Sequence, residues 1–291
     1  MGTMVTVGSP VEATSIRSGT QIPALTHFES LRLSTEEFRR FLALIETLSG
    51  EEWSQPTACS LWTVKDIVAH QAAHVSSFRS IRSFAAQLNP ALLKPYRKAG
   101  MNMLDAWNQS QVDLRRESSS AELVAEIRAG GDSFLKGRDR VPAWVRGPNL
   151  PLPGTDQRRS LGYLFDLIYT RDMWMHRHDI CDATGRAMVA DATHDGRIVA
   201  LVARDLAEKA RVGLGKRAAI LHLTGPAGAT YRIGSDSSPE AKIELDAMLF
   251  CVLTSGRMKA SDVLKNRRVN LDGDQEFGGE LVTYFENRVL Y

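Results

Sequence analysis

The hydrophobic period of this chain changes once, near Gly185, and that change limits what it can fold into. Before it, apolar residues recur every three or four positions; after it, they gather in runs of strand length. Leu31, Phe38, Phe41, Leu42, Ile45 and Leu48 mark one face of a long helix from His27 to about Leu48, stopped by Gly50. Thr63-Val-Lys-Asp66 is close to a capping box and opens a second helix from Thr63 to about Phe84. Pro90 and Pro95 break the chain, and Met103 to Arg116 and Ala121 to Lys136 then read as two further helices. Val141 to Arg159, rich in proline, reads as a long loop, and Leu161 to Ile180, with Tyr163, Phe165, Ile168 and Trp174, as a mostly buried helix. Long helices with a crossover connection describe a bundle.

Past Gly185, Asp195 to Val212 is still helical, but Ala218–Thr224, Thr230–Ile233 and Ala241–Leu245 have strand length, with Gly225-Pro-Ala-Gly228 as a hairpin turn. A helix from Asp246 to Thr254, a short helix near Ser261, a strand at Arg268–Leu271 and a final helix from Gln275 to Val289 follow. That mixture predicts a separate, smaller domain, so the expected fold class is α+β. The expected organisation is a mobile leader over residues 1–25, where Gly, Ser, Thr and Pro show no period, a helical bundle over 26–185 and the α+β domain over 190–291.

Lysine and arginine number 36 against 34 aspartates and glutamates, a net charge of +2, which gives no bulk field for nucleic acid or an anionic membrane. The three cysteines, Cys59, Cys181 and Cys251, form an odd set without a CxxC pair, which fits a reducing compartment. No apolar run reaches the roughly 18 residues of a membrane helix, and the N-terminus lacks the order of a signal peptide. The expectation is a cytoplasmic protein with no nucleic-acid or membrane partner, a monomer or a homodimer.

Chemistry concentrates on two helices. His70 and His74 are four apart and share a face of the second helix; Asp172 and His176 do the same on the last bundle helix. Two pairs of metal-competent side chains are thus available, although the same spacing serves surface or hydrogen-bonded core histidines equally. Ile67-Val-Ala69 and Ala72-Ala73 surround His70, and Ile168 and Met173-Trp-Met175 surround the second pair, so burial is expected. An unpaired buried polar group costs a few kcal/mol, and a metal ion is one partner that removes this cost. His74 and His178 are candidates for proton transfer or for surface positions, and Asp179 for a carboxylate that supports the ligands. Arg257, after Gly256 at a helix end, suits an anionic substrate or a helix cap. Lys94, Arg97 and Lys98 suit a carboxylate or a solvated turn. Cys59 has no basic neighbour in its segment and is read as a packing residue.

The stretch Trp53-Ser-Gln-Pro-Thr-Ala-Cys-Ser-Leu-Trp-Thr-Val-Lys-Asp-Ile-Val-Ala-His70 resembles the signature of the mycothiol-dependent maleylpyruvate isomerase family, in which a Trp, a Pro-Thr and a Gly-Trp-Thr-Val precede the first metal histidine. Arg171-Asp-Met-Trp-Met-His176-Arg-His-Asp179 is similar to the family's Glu-x-x-x-His with its following Asp. Leu221-His-Leu-Thr-Gly225, Ser255-Gly-Arg257 and Val269-Asn-Leu-Asp-Gly-Asp274 resemble its second domain, so the resemblance covers roughly residues 27 to 288. It implies a DinB-like four-helix bundle followed by a domain resembling sterol carrier proteins. It also implies a metal site made by His70, Asp172 and His176, with Arg257 and His74 left as candidate catalytic residues and no cofactor-binding residue identified. The implied cosubstrate is mycothiol, the cysteinyl sugar of actinobacteria. Two positions depart from the pattern: Asp172 stands where the family usually has Glu, and Leu61 where it has Gly.

Two imidazoles and one carboxylate around a divalent ion, zinc being expected, leave net positive charge and an open position where a thiol loses its proton near neutral pH. The expected function is a metal- and mycothiol-dependent transferase or isomerase acting on a small electrophile. The alternatives are a non-catalytic binding module with a structural metal and a metal-dependent hydrolase with water in the open position.

Overall fold

A computed structural model describes residues 16–87, 89–151 and 158–291. The described residues divide into two compact units: 25–189 with Leu290–Tyr291, and 190–289 with the segment that ends at Ala24.

The first unit is helical. In chain order it holds α1 (His27–Ile45), α2 (Val64–Ser77), α3 (Ile81–Gln87), α4 (Pro90–Lys98), α5 (Met103–Asp113), α6 (Ser120–Asp139), α7 (Ala143–Arg146), the antiparallel hairpin β1 (Asn149–Pro151) and β2 (Arg158–Ser160), α8 (Leu161–Tyr163) and α9 (Tyr169–Thr184). Its core lies between α1, α2, α6 and α9, where Phe41, Ile45, Ile67, Val68, Leu123, Ile127, Phe134 and Ile180 are buried. Helix α6 passes close to its neighbours because Gly130 and Gly131 carry no Cβ. One added at Gly131 would sit 2.4 Å from the Phe38 ring, and one at Gly130 2.5 Å from Val75.

The second helix is shorter than its sequence suggests. It ends at Ser77, whose hydroxyl donates to the His74 carbonyl at 2.7 Å. Phe78 then turns inward to meet Phe84, Phe134, Phe165 and Tyr169 at ring separations of 5.3–6.0 Å, so core packing ends the helix and α3 starts afresh. Pro90 begins α4 instead of breaking the chain, because its missing N–H falls at the first helical position and Asn89 caps the turn, accepting from the Ala91 N–H at 3.0 Å. The described part of the expected loop after Val141 carries α7 and the β1–β2 hairpin.

Between α8 and α9, Leu164–Ile168 winds as a π-helix. A π turn changes the phase of the helix that follows and weakens the carbonyl ladder. Arg138, fully buried on α6, compensates by donating to the carbonyls of Phe165 at 2.7 Å and Asp166 at 3.3 Å, and to the Thr170 hydroxyl at 2.9 Å. A buried bidentate pair, Arg177 with Glu37 at 2.7 and 3.1 Å, ties α9 to α1. Arg171 donates to the Leu290 carbonyl at 2.9 Å and holds the last two residues to the same helix.

The second unit is α+β: α10 (Asp195–Gly213), β3 (Ala218–Thr224), β4 (Thr230–Gly234), β5 (Ala241–Asp246), α11 (Ala247–Thr254), α12 (Ala260–Lys265), β6 (Asn270–Gly273) and α13 (Gln275–Phe285). The sheet order is β4-β3-β5-β6, with β3 parallel to β5 and the other pairs antiparallel. Leu221 pairs with Ile243 in register, and alternate residues of β3, β4 and β5 face the core. The last helix stops at Phe285 because Glu286 turns extended and its carboxylate accepts from the Ala260 N–H at 2.8 Å.

Residues 16–24 are not the loose leader that their composition suggests. Ser18 bridges to Arg232 beside β4, Ile22 is buried, and Gly19 lies so close to α10 that an added Cβ would come within 2.6 Å of Ala207. Residues 1–15 of the expected leader lie outside the described residues. Among the described residues, no helix is long and apolar enough to cross a membrane.

Candidate metal centre

Two helix starts place the candidate ligands. The connector before α2 closes on itself: the Thr57 hydroxyl donates to the Trp62 carbonyl at 2.8 Å, and the Trp62 N–H to the Cys59 carbonyl at 2.7 Å. Thr63 and Asp66 then complete a reciprocal capping box that begins α2 at Val64. From that start His70, His74 and Gln71 fall on the inner side of α2. Across from them, the turns of α9 that follow the π segment bring Asp172 and His176 inward at i,i+4.

The structure brings His70, Asp172 and His176 together, with one donor atom from each within 4.8 Å of the others. His70 Nε2 is 3.3 Å from Asp172 Oδ2, and His176 Nε2 is 3.4 Å from Asp172 Oδ1. Neither ring nitrogen of His70, a side chain only 1% exposed, meets hydrogen-bond geometry with any partner among the described residues. His74, the fourth candidate, joins them: its Nδ1 is buried, also lacks a hydrogen-bond partner and is 3.4 Å from Asp172 Oδ2. Donors around an ion with bonds of about 2.0–2.1 Å stand roughly 3.3 Å apart in a tetrahedral set, so these gaps match side chains gathered round a shared point. Orphaned imidazole nitrogens beside a carboxylate are a donor set that fits a divalent cation such as zinc.

The surroundings set protonation. Burial, with His74 adjacent, pushes the His70 imidazole down to about 3, so it is neutral at physiological pH. Burial also opposes a charged His176, but the carboxylates of Asp172 and Asp179 outweigh it and hold this imidazole well above its ordinary value. Burial likewise works to raise Asp172, and the imidazoles of His176 and His70 reverse the sign, holding it well below the carboxylate range. Asp179 Oδ2 is 2.9 Å from His176 Nδ1, the arrangement in which a carboxylate fixes an imidazole tautomer and leaves Nε2 facing the cluster.

Sequence reasoning missed three contacts. Gln71, fully buried, donates from Nε2 to Asp172 Oδ2 at 2.5 Å; an amide inside an apolar run carries no spacing signal. Trp62 lies with its ring 4.9 Å from His70 and 5.9 Å from His176, held by its indole N–H on Gln109 Oε1 of α5 at 3.0 Å. Cys59, expected only to pack, has its sulfur 3.7 Å from Asp179 Oδ2 and within reach of His176. Its partners come from 120 residues away in the chain, beyond anything its own segment reveals.

The remaining candidates fall elsewhere. His178 points about 200° round α9 from His176. Lys94, Arg97 and Lys98 are exposed on α4, with Arg97 donating to the Met101 carbonyl of its own turn. Arg257 belongs to the C-terminal unit, half-buried after Gly256, which takes a left-handed φ of 79°.

Residues 34–181 match the family described as the mycothiol maleylpyruvate isomerase N-terminal domain. No curated protein matches the chain. Among solved structures, a mutant of the mycothiol-dependent maleylpyruvate isomerase is similar over 85% of this chain and 93% of its own, with 13% identity and a TM-score of 0.54. A second crystal structure of the mycothiol-dependent maleylpyruvate isomerase is similar over 80% and 90%, with 13% identity and a TM-score of 0.53. At that identity the likeness speaks for the fold. The matched segment spans α2 with His70 and α9 with Asp172 and His176, more than half of the chain, and the chain belongs to the mycothiol maleylpyruvate isomerase family.

Proposed function

We propose that this chain is a metal-dependent isomerase or transferase that uses mycothiol as cosubstrate and acts on a small electrophile. The observation that carries the reading is the convergence of His70, Asp172 and His176, with orphaned imidazole nitrogens, within the segment that the family shares. A divalent ion there, zinc being the expected one, supplies positive charge and an open position at which a thiol ionises near neutral pH.

The protein's own groups prepare that position. Asp179 holds the His176 ring through Nδ1, so that its Nε2 faces Asp172 and His70 and offers a lone pair once its proton has left. His70 is already neutral and able to donate a lone pair. One carboxylate among the three candidate ligands leaves net positive charge for a thiolate. Trp62 covers the two imidazoles from one side and limits water.

A free thiol of pKa about 8.5 is a few per cent ionised at pH 7, so full ionisation raises thiolate by roughly thirtyfold, about 2 kcal/mol. Positioning of thiol and electrophile must supply the rest of the rate. Addition of the thiolate to a conjugated double bond leaves a single bond free to rotate, and expulsion of the same thiolate restores the double bond in the other geometry. The C–S bond that forms also breaks, with no net oxidation. If the sequence stops at addition and protonation, the product is a conjugate.

Zinc-loaded protein incubated with mycothiol, glutathione or cysteine and a panel of cis-unsaturated keto acids, maleylpyruvate included, tests the proposal. Turnover is expected with mycothiol and metal together and is lost in His176→Ala. Turnover that proceeds without any thiol would overturn it.

A further inference from the structure

We propose that Gln71 is a positioning residue that adapts this site to a carboxylate one methylene shorter than the family's usual glutamate. The inference rests on the reading of His70, Asp172 and His176 as metal ligands. Asp172 projects from α9 and its side chain cannot reach as far towards α2 as a glutamate would. Gln71 holds the shorter side chain from the α2 side: it is fully buried, follows His70 directly on α2 and donates from Nε2 to Asp172 Oδ2 at 2.5 Å.

The geometry divides the two carboxylate oxygens. Oδ2 is drawn towards α2, where Gln71 Nε2 occupies it and His70 Nε2 and His74 Nδ1 stand at 3.3 and 3.4 Å. Oδ1 faces His176 Nε2 at 3.4 Å and keeps its lone pairs for an ion. The other amide atom of Gln71, Oε1, is buried without a hydrogen-bond partner among the described residues, so the amide's polar contact is the one with Asp172. A buried acceptor left unpaired destabilises a fold. A purely structural residue at this place would be better as leucine, so the amide is explained by what its N–H does to Asp172. Groups that orient a metal ligand in this way typically change metal affinity by about 10–100-fold when removed.

The test separates the two layers of the claim. His70→Ala and Asp172→Ala address the ligand reading: each is expected to lose tight zinc binding in competition with a chromophoric chelator. Native affinity in both would overturn that reading, and the present inference with it. Given that loss, Gln71→Leu addresses the inference alone. At a temperature where the metal-free variant is folded, zinc affinity is expected to fall about 10–100-fold, and the visible spectrum of the cobalt-substituted protein to change. Unchanged zinc affinity in Gln71→Leu, or a cobalt spectrum identical to that of the native protein, overturns it.

A second pair of variants gives a reversal of sign. In the native background Gln71→Ala should weaken zinc binding. In Asp172→Glu, whose longer side chain meets the amide, zinc binding should be weakened and Gln71→Ala should strengthen it again. Gln71→Ala with the same effect in both backgrounds would show that Gln71 does not answer to the length of the carboxylate.

Discussion

His70 and His176 stand in opposite protonation states before any ion arrives. His70 is pushed down to about 3 by burial and by His74, whereas the Asp172 and Asp179 carboxylates overcome burial and hold His176 well above its ordinary value. A ligand imidazole must be neutral, so zinc binding at pH 7 should release about one proton, from His176, and not two. A pH-indicator titration with zinc in weak buffer measures this directly, and release of none or of two would contradict the assignment. The sign also fixes the pH trend: apparent zinc affinity should weaken as pH falls, because protons compete at His176. In the metal-free protein the two imidazoles act oppositely on stability. His176 stabilises the fold below its unfolded value of about 6.5 and loses that effect as pH rises through its folded value; His70 costs stability as pH falls from about 6.5 towards 3. At this scale the sequence was legible where spacing carries the signal, as for His70 with His74 and Asp172 with His176. It was silent on Gln71, whose amide looks like one more interruption in an apolar run, and on Cys59, whose neighbours Asp179 and His176 arrive only through the tertiary fold.

Among the elements, the π segment at Leu164–Ile168 has the largest consequence, because it sets the phase in which Asp172 and His176 enter the core. Arg138 holds it, with burial lowering this guanidinium to about 10. Arg138→Met would leave the Phe165 carbonyl buried without its charged donor. The expected cost is about 3 kcal/mol, a fall in melting temperature of roughly 6–10 °C by calorimetry, with reduced zinc affinity at temperatures where the variant is folded. A variant that melts like the native protein and binds zinc equally well would remove Arg138 from the account. Helix existence was readable from period and caps, as Thr63 and Asp66 show for α2. Helix ends were less so: Phe78 leaves α2 to complete an aromatic cluster drawn from α3, α6 and α9, and Pro90 starts a helix because Asn89 caps it. Neither competition is decided within the local sequence.

For the whole molecule, the switch in hydrophobic period near Gly185 was enough to separate a helical unit from an α+β unit, but not to place residues 16–24, which complete the C-terminal unit through Ser18, Gly19 and Ile22. The short apolar stretch there is too small to show a period. Three covalent links therefore run between the units, one before Leu25, one near Val189, which is 81% exposed, and one before Leu290. Elastase should cut first near Val189, and the two fragments should stay together on a sizing column, because residues 16–24 of the first fragment pack in the C-terminal unit and Leu290–Tyr291 of the second pack in the helical one. Separation after the single cut would contradict the packing of residues 16–24. The central claim, that His70, Asp172 and His176 hold an ion, is tested most directly by elemental analysis of the intact protein after reconstitution and desalting. The account expects about one divalent ion per chain, lost in His70→Ala and in His176→Ala. Native protein that stays metal-free after exposure to zinc, nickel, cobalt and manganese would contradict it.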